Sequence, residues 1–224
     1  MTFMPTNKLV IFDFCGTLIR FQTADRYVKF CVERLKDNKV VQCRRRLVQM
    51  MDKLRVFKIC NHVMPGNNWR KRMILWQLKG VQYDICDKWA KAYFEEELLP
   101  NVVPPLVALL NEHLAAHEKV CILSGGYDIY IKYFAQYFGI EEAISSKIAF
   151  QDGVCLGKMD GKDCMRENKV EYIRPYLESE YTICYTDSQS DLPLLQLVDE
   201  PVVVSHDSSQ HWAENHKYKQ IIWN

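Results

Sequence analysis

The chain lacks any excess of charge: among its 224 residues, 29 Lys and Arg stand against 28 Asp and Glu, for a formal net charge of +1. Nucleic acids and anionic membrane surfaces are held by basic surfaces, so neither partner is expected. The cluster Arg44-Arg45-Arg46 is short, lies in a helical pattern and fits a solvated helix face or a lid over an anionic substrate. Apolar runs of membrane-spanning length are missing, the longest being strand-sized. The nine cysteines contain no C-x-x-C pair, which argues against zinc ribbons and thioredoxin-like redox motifs. They are odd in number, and Cys121 and Cys184 sit inside apolar runs, so they read as small core residues in a reducing compartment. A cytoplasmic location follows as the expectation. Met1 to Lys8 has no basic stretch ahead of a long apolar run, so no secretory signal is expected. Repeats and low-complexity segments are absent, and nothing in the sequence separates a monomer from a homodimer.

What is present is an ordinary globular balance, 48% hydrophobic and 25% charged, in a chain long enough for a core with a smaller insertion. Leu9–Phe12, Val120–Leu123, Thr182–Tyr185 and Val202–Val204 are short, continuous apolar runs, as expected for strands covered on both faces. Helical patterns at about 104–117, 127–138, 169–178 and 190–198 alternate with them, which predicts an α/β fold with a parallel sheet. Residues 20–99 differ. They show no clear strand, are rich in Lys, Arg, Trp and Tyr, and place Val28, Cys31, Val32 and Leu35 at helical spacing. Pro65-Gly66-Asn67-Asn68 divides this stretch, and Pro100 and Pro104-Pro105 mark the return to the α/β part. The expected organisation is a core made of 1–19 and 100–224 with an all-helical insertion, 20–99. Ligands of open parallel sheets bind beyond the strands' carboxyl ends, so an insertion after the first strand overhangs the expected site as a lid.

Four segments carry candidate chemistry. Val10-Ile11-Phe12-Asp13 ends a strand in a carboxylate, which serves as a turn or cap residue or as a nucleophile on phosphorus. Ser124-Gly125-Gly126 ends the second strand with a hydroxyl and two glycines, a common turn that also lets backbone N–H groups approach a phosphate at a helix N-terminus. Asp187 and Asp191 follow the third strand four residues apart, where Asp191 is a helix cap or the pair holds a hard cation through oxygen. Lys169 opens a helical stretch; alone it is a solvated lysine, and opposite a phosphate and a carboxylate it would hold the two together.

The order Asp13-x-x-Gly-Thr, Ser124-Gly-Gly, Lys169, Asp187-Ser-x-x-Asp191 resembles the four motifs of the haloacid dehalogenase superfamily. The wording Ser124-Gly-Gly-Tyr and Asp187-Ser-x-x-Asp-Leu-Pro-Leu-Leu is similar to its phosphoserine-phosphatase-like subgroup with a helical cap. The likeness covers residues 8–19 and about 104–207; the cap agrees only in position and helical character. The resemblance implies a Rossmann-like parallel core and a Mg²⁺-dependent hydrolase of small phosphorylated metabolites. It implies Asp13 as the nucleophile, and Ser124 with the backbone of Gly125 and Gly126 as the phosphate cradle. Lys169 would pair with nucleophile and phosphate, with Lys162 and Lys158 as alternatives. Asp13, the backbone carbonyl at Cys15, Asp187 and Asp191 would serve Mg²⁺, Asp191 directly or through water.

Two departures stand out. Phosphatases of the family carry a second Asp two residues after the nucleophile, as acid and base; here that residue is Cys15, and a neutral thiol is a weak donor. Loss of a general acid/base costs about 10²–10⁴-fold in rate. Phosphotransferase, C–X cleaving (dehalogenase or phosphonatase type) and non-catalytic binding readings therefore stay open beside the phosphatase. Phosphoserine phosphatases also place a Glu nine residues after the nucleophile, where this chain has Gln22, an amide that would hold an ammonium less strongly. Arg20, Arg70 and Arg72 are either solvated or turned to a more anionic substrate.

Overall fold

The computed structural model describes residues 8–64, 68–177 and 181–224. The expected break at Pro65-Gly66-Asn67, the segment before Lys8 and the end of the expected helix at 178 lie outside the described residues. The chain runs β1 (Lys8–Phe12), α1 (Thr23–Arg34), α2 (Lys39–Lys53), α3 (Val56–Val63), α4 (Trp69–Trp76), α5 (Tyr83–Tyr93), α6 (Pro104–Ala115), β2 (Lys119–Tyr127), α7 (Asp128–Phe138), β3 (Glu142–Gln151), β4 (Val154–Asp160), α8 (Glu167–Ile173), β5 (Tyr181–Thr186), α9 (Leu192–Leu195), β6 (Glu200–His206), α10 (His211–Asn215) and β7 (Lys219–Trp223). Between α5 and α6 the chain passes through a π turn, Phe94–Leu98, and a 3₁₀ turn, Leu99–Asn101.

The fold is α/β. The seven strands lie in the order β4-β3-β2-β1-β5-β6-β7, and every pair is parallel except β3 with β4. Alternate residues of β1 face opposite sides: Val10 and Phe12 join one apolar cluster, Leu9 and Ile11 the other. The second cluster is covered by α8, α9 and α10 through Val170, Ile173, Leu194, Leu195 and Ala213. The first contains Leu106 and Leu110 of α6 and Tyr130 and Phe134 of α7, and runs on into Tyr27, Phe30, Leu75, Ala90 and Tyr93 of the helices between β1 and β2. Those helices and one face of the sheet therefore share a single buried cluster. Successive strands depart to opposite sides of β1, with β2 on one flank and β5 on the other, so the crevice beyond the ends of β1, β2 and β5 is the switch point of the sheet.

All four expected strands are present, and three more join them. β3 and β4 form a hairpin around Asp152 and Gly153, both at positive φ (50° and 75°). Asp-Gly is the residue pair such a tight turn favours. β7 closes the far edge. The expected helix at 190–198 is shorter, a 3₁₀ turn (Gln189–Asp191) followed by the four residues of α9. The helix expected to begin at 169 starts at Glu167, so Lys169 sits within its first turn.

Candidate active site

β1 carries its ladder one residue further, with the Asp13 N–H donating to the Tyr185 carbonyl at 2.8 Å. The carboxylate therefore stands at the strand's carboxyl end. The chain then turns through Gly16 at φ +84°, where an added Cβ would lie 2.0 Å from Asp187 Oδ2. Only glycine serves there, because the turn needs the left-handed region and the carboxylate needs the space. Thr17 Oγ1 accepts the Asp187 N–H at 3.0 Å, so the turn after β1 also seats the loop after β5.

Lys169, 4% exposed, donates from Nζ to Asp13 Oδ1 and to Asp191 Oδ2, each at 2.7 Å. Thr186 Oγ1 donates to the same Asp191 oxygen at 2.7 Å. Asp191 thus orients the lysine that meets Asp13. Burial works against the lysine's charge, but Asp13 and Asp191 more than offset it and raise its pKa above the ordinary value. Lys162, by contrast, pairs with Glu171 on the surface at 2.6 Å, and Lys158 is exposed; neither reaches Asp13.

Ser124, at the end of β2, is fully buried, and its Oγ accepts the Gly126 N–H at 2.9 Å. The two glycines lie at the end of a strand, just ahead of the helix expected from 127. β2 extends to Tyr127, its register with β3 slips between Ser124 and Tyr127, and α7 begins only at Asp128. Gly125-Gly126 is a bulge, the Gly126 N–H is already taken, and Gly126 does not line the cavity described below.

Three buried or nearly buried carboxylates, Asp13, Asp187 and Asp191, meet one ammonium. The surplus negative charge shows at Asp187, pushed up to about 7 by burial first and by Asp13 second. Its Oδ1 is buried and finds no hydrogen-bond partner among the described residues. Among those residues no three His, Cys, Asp or Glu side chains form a ready metal cluster. An oxygen-only set of two carboxylates and backbone carbonyl nonetheless suits a hard divalent cation, and the orphaned oxygen and the unneutralised charge fit one.

Cys15 is 8% exposed, with Sγ 3.0 Å from Thr23 Oγ1 and 3.9 Å from Ser124 Oγ. Thr23 is fully buried; its hydroxyl meets Tyr130 OH at 2.6 Å and its carbonyl accepts from Tyr93 OH at 3.0 Å. Burial, and then the Asp13 charge, push the thiol pKa up. Cys15 is therefore a neutral thiol held in a buried polar chain.

These groups line a cavity of about 250 Å³. Asp13, Cys15, Ser124, Gly125, Lys169, Asp187 and Asp191 face it from the sheet; Gln22, Asp25, Asn68, Arg70 and Lys71 face it from α1, α4 and the residues that precede them. Gln22 is exposed at the helix entry. Arg70 is ion-paired with Asp25 and lies 3.5 Å from Asp52. Arg20 is turned elsewhere, over the Trp223 ring at 5.1 Å, and Arg72 is not among the lining residues. The sequence reading missed Lys71. Asn68 caps α4 by accepting the Lys71 N–H at 3.4 Å, and the Lys71 side chain runs inward to Asp163 and the Gly125 carbonyl, each at 2.5 Å. A lysine between two arginines carries no sign of burial; the Asn cap was the readable part.

Comparison with known proteins agrees with this fold. The model of the haloacid dehalogenase-like hydrolase family matches residues 10–196. A histidinol-phosphatase of Neisseria meningitidis serogroup C is 28% identical over 127 residues, covering 53% of this chain and 57% of that protein. A probable phosphatase of Mycobacterium tuberculosis is 28% identical over 137 residues, covering 55% and 47%. The matched region is thus about half the length of these curated relatives. Among solved structures, a protein of unknown function from Bordetella pertussis Tohama I superposes with a TM-score of 0.79 at 20% identity, over 96% of this chain and 98% of that one. A phosphoserine phosphatase with a phospho-aspartyl intermediate analogue gives 0.61 at 16% identity, over 97% and 93%. At such identities the structures attest the fold alone. With the family model spanning most of its length, the chain belongs to the haloacid dehalogenase-like hydrolases.

Proposed function

We propose that this protein transfers a phosphoryl group from a small phosphorylated metabolite to Asp13 and then to water, as a Mg²⁺-dependent phosphatase. The observation that carries the reading is Lys169, buried and bound at 2.7 Å to both Asp13 and Asp191 at the switch point of the sheet. An ammonium so placed holds the nucleophile's orientation and screens its repulsion from an incoming phosphate. An Asp13 oxygen attacks phosphorus, the P–O bond to the leaving group breaks, and an aspartyl-phosphate forms. Ser124 Oγ and the Gly125 N–H bind phosphoryl oxygens, and Gln22 and Arg70 meet the rest of the substrate. Asp13, Asp187 and the Cys15 carbonyl, with Asp191 behind them, would hold Mg²⁺. That ion supplies charge neutralisation for the carboxylates and the phosphoryl oxygens. In this reading residues 1–19 and 100–224 are the catalytic core and 20–99 the specificity cap. The cavity of about 250 Å³ suits a small substrate.

The test is release of phosphate from p-nitrophenyl phosphate and a panel of metabolite phosphoesters, with Mg²⁺ and with chelator. Turnover should require the metal and vanish in Asp13→Asn. Turnover that survives Asp13→Asn, or none on any ester, would sink the reading.

A second reading rests on Cys15. With a buried thiol where an acid/base carboxyl is needed, attack of water on the aspartyl-phosphate is unassisted, and a hydroxyl acceptor bound in the cavity would compete with it. The protein would then act as a phosphotransferase. Its mark is a stoichiometric burst of nitrophenol followed by a slow phase that added alcohols accelerate; linear release indifferent to alcohols speaks for hydrolysis.

A further inference from the structure

Lys71 belongs to the helical segment, yet its ammonium lies inside the core. The residue is 5% exposed. Its Nζ donates to the Gly125 carbonyl at 2.5 Å, to Asp163 Oδ1 at 2.5 Å and to Ser146 Oγ at 3.5 Å. An ammonium has three protons. All three are directed at protein oxygens, so Lys71 is not a substrate-binding cation although it lines the cavity.

Each partner belongs to a different part of the site. Ser146 sits on β3 opposite Tyr127, donates to Asp163 Oδ1 at 2.7 Å and accepts the Cys164 N–H at 2.9 Å. The Asp163 carbonyl accepts from Asn168 Nδ2 at 2.9 Å, tying that loop to the first turn of α8, next to Lys169. Gly125 lies in the phosphate-binding bulge, and a Cβ on it would stand 2.5 Å from Met165 Cγ, so the same loop packs directly on the bulge. The peptide joining Gly125 to Gly126 is held at both ends: its carbonyl by Lys71 and its N–H by Ser124 Oγ at 2.9 Å. Flipping that peptide would turn a carbonyl dipole toward the cavity, where a phosphoryl group would meet a negative end.

A buried ion pair is poor evidence of stability, since apolar replacement of both partners is often neutral or better. What Lys71 and Asp163 supply is registry. We propose that Lys71 is a positioning residue that couples seating of the helical segment to the phosphate-binding bulge, by holding the Gly125 carbonyl out of the cavity and anchoring the loop that leads to Lys169. When α4 lifts, the bulge loses its donor; when α4 seats, the anion-binding arrangement is restored.

The inference rests on the phosphoryl-transfer reading of the cavity, and its test is chosen to fail separately. The double variant K71M/D163N removes both charges together and leaves no buried ion unpaired. Its melting temperature should stay near that of the unaltered protein. Its kcat on p-nitrophenyl phosphate should fall about tenfold to a hundredfold, the usual cost of a small misplacement. The Mg²⁺-loaded protein should bind inorganic phosphate at least about tenfold more weakly by calorimetry. Lys71→Gln, which keeps one neutral donor, is the milder companion should the double variant not fold, with losses in the same direction. Unchanged kcat and phosphate affinity would reduce Lys71 to a structural pair and overturn the proposal. So would a rise in KM alone, which would mean that Lys71 seats the segment without setting the bulge. If the unaltered protein turns over no ester, the phosphatase reading fails, while phosphate affinity still reports on Lys71.

Discussion

The two walls of the cavity are built differently. On the sheet side, Asp13, Ser124 and Asp191 are at most 7% exposed and hang from strand ends or the turns beyond them, and Lys169 comes from the first turn of α8. Each is held by its neighbours: Asp13 by Lys169, Lys169 by Asp191, Asp191 by Thr186. On the helical side, Gln22 and Arg70 come from helix starts, and the Arg70–Asp25 ion pair is half open to solvent. Exposed ion pairs are weak and exchange readily. A rigid wall suits chemistry that must be placed to a fraction of an ångström; an adaptable wall suits recognition.

The largest expected effect tests the rigid wall. Lys169→Met should lower kcat by about 10³-fold or more and leave two acids facing each other unneutralised, so a loss of only a few-fold would show that the interlock is dispensable. Next is the weak point in that wall. Cys15→Asp should raise the steady-state rate on aryl phosphates by about 10²-fold or more, if an acid/base carboxyl is what the site lacks. No gain would move the reaction away from hydrolysis. On the adaptable wall, Arg70→Ala should raise KM for anionic esters by roughly threefold to tenfold with kcat nearly unchanged, as expected for a binding contact rather than a transition-state one. An equal fall in kcat would erase the distinction between the walls.

The smallest effect is a pH dependence. Asp187 titrates near 3.8 when unfolded and is pushed up to about 7 in the folded, metal-free chain, by burial and then by Asp13. Between those values the folded state holds a proton that the unfolded state has released. The contribution of Asp187 to stability is therefore full below about pH 4 and declines as pH rises to about 7. In chelator, the melting temperature of the protein minus that of Asp187→Asn should fall from pH 4 to 7, and Mg²⁺ should restore it most at pH 8. A difference that rises over this range would contradict the assigned surroundings of Asp187.

The same contrast explains what the sequence made legible. β1, β2, β5 and β6 are continuous apolar runs because both faces are covered, and Asp13, Ser124 and Asp187 are polar residues just where those runs stop. A polar break at a strand end is a local signal. β3 was not legible because its burial is broken by exposed Ala143 and Lys147, though its Asp152-Gly153 turn was in plain view. Choosing Lys169 over Lys162 needed the resemblance to a family, since nothing local separates one lysine from another. Lys71 was hidden altogether: its burial is decided by Ser146 and Asp163, 75 and 92 residues away.

The single apolar cluster shared by the sheet and the helices after β1 bears on how anything enters or leaves. Tyr27 and Tyr93 pack against Tyr130 with ring centroids 5.1 and 5.3 Å apart, and all three are fully buried. Swinging the whole helical segment outward would strip these rings and expose much of the first cluster to water. α2, α3 and α4 add Val41, Val48, Phe57, Ile74 and Leu75 to the same cluster, so none of these helices can part from the sheet without exposing apolar surface. A ligand exchange step that needed such parting would slow with every buried side chain it uncovers.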